Sequence, residues 1–167
     1  MRPASTLIQE LKQELYLKRF GEVYMDHALD KYQTERYIKA VEEYERIFGD
    51  DDVAVYSAPG RSEIGGNHTD HQCGKVFATS VNIDTIAVTA KREDDIVCLK
   101  SEGYEQIEIN LKEIEKREDE QGTTTALIRG VAAGVKLKGF QIGGFNAYVT
   151  SEVLSGSGLS SSAAFEI

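Results

Sequence analysis

The chain reads as an α+β unit, and three observations predict it. Two stretches with helical periodicity come first, β-branched runs dominate the middle, and a further helix and strand precede a glycine- and serine-rich segment. No internal repeat, low-complexity tract or linker divides the 167 residues. That length suits one domain with its own core.

The elements follow in order. Residues 6–16 predict a helix, because Leu7, Leu11 and Leu15 recur every four residues and Thr6 and Gln9 have capping-box spacing. A second helix over 34–48 carries the stripe Tyr37, Val41, Tyr44 and Phe48; Gly49 is placed to end it, and Asp50-Asp51-Asp52 reads as a solvated turn. A short strand over 53–57 leads into an irregular segment, 58–74, whose Pro59, Gly60, Gly65 and Gly66 predict a loop. The β-branched content of 76–91 predicts strands, with further short ones at 96–100 and 106–109. Residues 113–120 are charge-rich and read as solvated surface. A helix over 123–135 aligns Leu127, Val131 and Val135, and 143–151 alternates as a strand.

Composition narrows the partners. Hydrophobic residues make up 41% of the chain and charged residues 28%, as in an ordinary globular protein. A net charge of −9 without any basic cluster argues against nucleic acid. No apolar run approaches the ~20 residues that span a bilayer, and residues 1–13 do not resemble a signal peptide. Cys73 and Cys98 are too few for a disulfide framework and read as reduced thiols, so the expected location is the cytoplasm.

Two segments carry chemistry. The first is Ser155-Gly156-Ser157-Gly158-Leu159-Ser160-Ser161-Ser162-Ala163-Ala164. A glycine-rich loop opening onto a helix presents backbone N–H groups that the helix cannot use, which suits an anion such as phosphate. The hydroxyls of Ser160, Ser161 and Ser162 add oxygens for phosphate or magnesium. The loop lacks the lysine of a Walker A motif.

The second runs Ala58-Pro59-Gly60-Arg61-Ser62-Glu63-Ile64-Gly65-Gly66-Asn67-His68-Thr69-Asp70-His71. Such a density of polar groups suits recognition of a small polar ligand. Asp70 can accept from neighbouring hydroxyls, His68 and Asn67 can donate or accept, and Arg61 offers a permanent charge near a transferring phosphoryl group. The blander readings are that Asp70 caps a turn and that Arg61 pairs with Glu63. A zinc site from His68, Asp70 and His71 would leave the phosphate loop unexplained.

Both segments resemble the sugar-kinase branch of the GHMP kinase superfamily, galactokinases in particular. Ala58-Pro59-Gly60-Arg61 followed by His68-Thr69-Asp70 is similar to the galactokinase signature, and Gly156 to Ala164 to the family's ATP-binding motif. The resemblance implies a mixed sheet packed with helices, of the ribosomal protein S5 domain 2-like type. Residues 1–167 are then one N-terminal domain: a helical lead-in over 1–50, and the kinase N-domain from residue 53, cut at the phosphate-loop helix.

It also implies roles. Arg61 lies near the transferred phosphate, and Asn67, His68 and Asp70 bind sugar. Gly156, Ser157, Gly158, Leu159, Ser160, Ser161 and Ser162 bind ATP, with Ser161 and Ser162 towards Mg2+. The reaction implied is γ-phosphoryl transfer from ATP to the 1-hydroxyl of galactose. The family's catalytic aspartate, acidic magnesium ligand and last glycine-rich motif would lie beyond residue 167. These residues alone are therefore expected to be inactive, to expose apolar surface, and to self-associate, to fray over 165–167, or both. Four departures bear on the sugar: Glu63 where the family has asparagine, Gly65 for isoleucine, Asn67 for glutamate and His71 for tyrosine. The alternatives are a catalytically dead sugar and nucleotide sensor, and a GHMP kinase for another sugar.

Overall fold

The computed structural model describes residues 1–66, 73–154, 158–159 and 161–166. Its strands are β1 (Arg2–Pro3), β2 (Asp52–Gly65), β3 (Phe77–Lys91), β4 (Ile96–Ser101), β5 (Ile107–Asn110) and β6 (Phe145–Ser151). Its helices are α1 (Ala4–Lys12), α2 (Leu17–Tyr24), α3 (Asp30–Phe48), α4 (Thr124–Leu137) and α5 (Ser161–Glu166). The strands form one mixed sheet in the order β1-β2-β3-β6-β4-β5, antiparallel except where β4 runs parallel to β6. The α+β expectation holds, with helices on both faces of the sheet.

Alternation along the strands divides the core. Ile86, Val88 and Ala90 of β3 and Tyr148 of β6 face Ile8, Leu11, Phe20, Tyr24, Val41 and Tyr44 of α1, α2 and α3. On the opposite face Leu99, Ala147 and Val149 meet Ile128 of α4 and Phe165 of α5. That face is covered incompletely. A cavity of about 530 Å³ remains among Leu99, Val131, Phe145, Val149 and Phe165, and Val131 is 41% exposed. Among the described residues no helix is long and apolar enough to cross a membrane.

Several local expectations need correction. The Thr6 capping box does not form, because α1 begins earlier and Thr6 lies inside it. The helix start is capped from a distance: Asp50 accepts from the Ser5 N–H and hydroxyl, both at 2.8 Å, and the Asp51 carbonyl accepts from Ala4 N–H at 3.0 Å. Those Ser5 donors hold the Asp50 carboxyl below its usual pKa. Asp51 also accepts from the Tyr44 hydroxyl at 2.9 Å, so the triple aspartate is not a merely solvated turn. Leu15 is exposed, and Ile8 takes the buried position instead.

Helix α2 has no counterpart in the sequence reading. It is two turns long with Gly21 at its centre, and Phe20 and Tyr24 anchor it at i, i+4 spacing. A Cβ on Gly21 would lie 2.2 Å from the His27 ring, an exposed side chain that can turn aside. The largest correction concerns 58–74. Strand β2 continues through Pro59, Gly60 and Arg61 to Gly65, with register shifts between Pro59 and Arg61 and between Glu63 and Gly65. Proline and glycine are tolerated because the irregularity sits on a strand whose outer edge pairs with β1 only at Val53 and Asp52.

The turn between β3 and β4 is held by charge. Arg92 donates to both carboxylate oxygens of Asp94, at 2.8 and 2.6 Å, and to Asn146 of β6 at 2.9 Å. The Asp94 carboxylate also accepts from Ile96 N–H at 3.2 Å. Hydrogen bonding from Arg92 depresses the Asp94 pKa from 3.8 to about 2. A depressed carboxyl pKa means that the unfolded chain takes up the proton first on acidification. Its contribution to stability is therefore complete above about pH 4 and is lost as pH falls through about 2. The Asp94→Asn variant is expected to lose less stability than the parent between pH 4 and pH 2. Urea unfolding midpoints measured across that range check this, and parallel curves would refute it.

Candidate functional site

The two chemistry-bearing segments meet in the fold. Strand β2 carries Gly60 and Arg61, and the chain entering α5 lies against them: the Arg61 backbone N–H donates to the Leu159 carbonyl at 3.0 Å. Gly60 permits this approach. A Cβ there would meet Leu159 O and Val153 Cγ1, both at 3.3 Å, and Val81 Cγ2 at 3.2 Å. The Arg61 side chain is 54% exposed and pairs with Glu63 at 3.6 Å. A surface pair of that length leaves the guanidinium available to a ligand.

Of the expected ATP and metal residues, Gly158, Leu159, Ser161 and Ser162 are described. Gly158 has φ +77, a left-handed conformation natural to glycine. Ser161 and Ser162 form the first turn of α5. Asn67, His68, Asp70, Gly156, Ser157 and Ser160 lie outside the described residues, as does His71 and with it the zinc alternative. The frame around 67–72 is described. Gly66 has φ +88, and a Cβ on it would stand 2.2 Å from the Lys75 carbonyl oxygen. The two ends of the segment thus close on each other through a glycine.

Sequence reasoning missed a buried polar network beneath this junction. Asp84 of β3, 2% exposed, is the register partner of Pro59. Its carboxylate accepts from the Tyr24 hydroxyl at 2.7 Å, from Ser57 and from Arg36. Arg36 also donates to the Asp84 carbonyl at 2.9 Å and pairs with Glu152 at 3.3 Å. The Asp84 carbonyl accepts as well from Glu152 N–H at 3.0 Å, and Glu152 takes the Tyr32 hydroxyl. Burial works against the Arg36 charge, but Asp84 more than offsets it and the pKa stands above its ordinary value. Burial raises the Tyr24 hydroxyl pKa, and its bonds to Tyr37 and Asp84 push it higher, so it remains a donor. The signal was present: an aspartate within Val81-Asn82-Ile83-Asp84-Thr85-Ile86 sits where a buried charge needs a partner.

Known proteins resemble this chain. The galactokinase galactose-binding signature matches residues 42–91, which include Arg61 and Asp84. The galactokinase of Lactococcus lactis is 36% identical over 131 residues, covering 75% of this chain and 32% of the relative. Over three quarters of its length the chain is similar to galactokinases.

The galactokinase of Chloroflexus aggregans is likewise 36% identical, over 125 residues. The structure of the Lactococcus lactis galactokinase complexed with galactose superposes with a TM-score of 0.69 at 36% identity, over 75% of this chain and 33% of that one. Methanococcus jannaschii mevalonate kinase, at 16% identity and a TM-score of 0.55 over 68% of this chain and 37% of that one, shares the fold, which is that of the GHMP kinases. The chain spans about a third of the length of the curated galactokinases it matches.

Proposed function

We propose that these 167 residues are the N-terminal domain of a kinase that transfers the γ-phosphoryl group of ATP to the 1-hydroxyl of galactose. The observation that carries the reading is the hydrogen bond from Arg61 to Leu159, which sets the signature strand against the chain entering α5. In this reading Asn67, His68 and Asp70 hold the sugar hydroxyls. Gly156, Ser157, Gly158, Leu159 and Ser160 hold the triphosphate, and the Arg61 guanidinium offsets charge on the transferring group.

The donor chemistry at α5 fits magnesium. Ser161 and Ser162 offer neutral hydroxyl oxygens, and magnesium prefers oxygen, keeps several waters and is held largely by nucleotide phosphates. Bound there with ATP, magnesium would neutralise phosphate charge. Because the chain spans a third of its relatives, the reading assigns it recognition of sugar and nucleotide without turnover of its own. A cytoplasmic location and self-association through the half-covered face of the sheet belong to the same proposal.

Calorimetry with galactose, glucose, N-acetylgalactosamine and arabinose tests the sugar. Galactose is expected to bind in preference, and Asp70→Ala to weaken it by roughly ten- to a hundredfold, the scale of a hydrogen bond to a charged group. Preference for another sugar would assign Glu63, Asn67 and His71 a redirected specificity. No binding of any sugar by folded protein would overturn the reading, and release of ADP by the purified chain would overturn the assignment of recognition alone.

A further inference from the structure

We infer that Arg36 is a positioning residue, whose guanidinium holds the approach to the phosphate loop against the strand that carries Arg61. The inference rests on the functional reading above, but its geometry stands apart from it. Arg36 belongs to α3, remote in sequence from both motifs, and its side chain is 8% exposed. Its Nη1 pairs with both Asp84 and Glu152, while its Nη2 donates to the Asp84 carbonyl. Asp84 stands opposite Pro59, two residues before Arg61. Glu152 follows β6 at once and leads to Val153, which is 2% exposed and abuts Gly60.

One cation therefore ties β3, at the residue opposite Pro59, to the residue that follows β6. A backbone bond runs parallel to it, from Glu152 N–H to the Asp84 carbonyl that Arg36 also engages. The planar, five-donor guanidinium suits this double duty, whereas an ammonium on a single stem does not reproduce the fork. With the clamp loosened, Val153 is free to shift from Gly60. The Arg61–Leu159 hydrogen bond, the direct link between the motifs, then opens more often. Neither Arg36 nor Glu152 touches substrate in this scheme.

The test uses the intact 167-residue chain with Arg36→Lys, and Glu152→Gln as a milder change should the first fail to fold. Amide hydrogen exchange is followed by NMR at Arg61, with Val41 and Val88 as core references. Mg·ATP and galactose affinities are measured in parallel. Arg61 exchange is expected to rise by about tenfold or more in both variants while the references hold, the scale of one weakened hydrogen bond. Mg·ATP affinity is expected to fall by a comparable factor with galactose affinity unchanged. Lys39→Met, which breaks the exposed Lys39–Glu102 pair on the same helix, is expected to change none of these. Unchanged Arg61 exchange, or exchange that rises in step with Val41 and Val88, would overturn the inference. Failure of the parent chain to bind Mg·ATP would sink the nucleotide reading instead, with Arg61 exchange still deciding the clamp.

Discussion

The Arg36→Met variant is expected to lose about 3–5 kcal/mol of stability, the cost of leaving one member of a buried ion pair without the other. Asp84 is 2% exposed, and without Arg36 its carboxylate keeps, among the described residues, the neutral donors Ser57 and Tyr24. A charge so placed is expensive to keep. The companion Asp84→Asn change removes the stranded charge. The double variant is therefore expected to be less destabilised than the sum of the two single changes. Urea unfolding of the four proteins completes the cycle, and strict additivity would show that Arg36 and Asp84 do not support each other.

The second large effect is expected at Gly66. Alanine there meets two obstacles: φ +88, and a Cβ 2.2 Å from a backbone oxygen of Lys75 that has no flexible end to swing aside. Left-handed strain costs about 1–3 kcal/mol and overpacking a similar amount, so the junction is expected to part rather than absorb both. Because Gly66 borders Asn67, the reading that assigns Asn67, His68 and Asp70 to the sugar predicts loss of measurable galactose binding in Gly66→Ala. Mg·ATP binding should persist, since Leu159 meets β2 at Gly60 and Arg61, away from Gly66. Galactose titration of the folded variant decides it. Retained affinity would mean that the sugar does not depend on how this segment is closed.

How much of this was legible depends on the range of the interactions. The stripe Val41 and Tyr44, the stop at Gly49 and the β-branched run of β3 were readable because local pattern and burial agree there. Strand β2 was read as a loop from Ala58 onwards. Pairing with β3 overrides turn chemistry on a strand that has little to pair with on its other side. Helix α2 was missed because two turns around a glycine have little intrinsic propensity, and tertiary packing of Phe20 and Tyr24 supplies the rest. Within the site, Arg61 and the residues around α5 announced themselves by motif. Arg36 and Glu152 did not: their meaning lies in contacts with Asp84 and with each other, 48 to 116 positions apart, which no local window contains.

The strand order has a consequence for how the molecule comes into being. Strand β6 lies between β3 and β4, yet it follows the other five described strands in sequence. On the ribosome, the β1-β2-β3 sheet and the β4-β5 hairpin emerge first as two separate half-sheets with raw inner edges. They can be joined only after residues 145–151 arrive to fill the gap. Vectorial synthesis thus leaves the centre of this sheet until last.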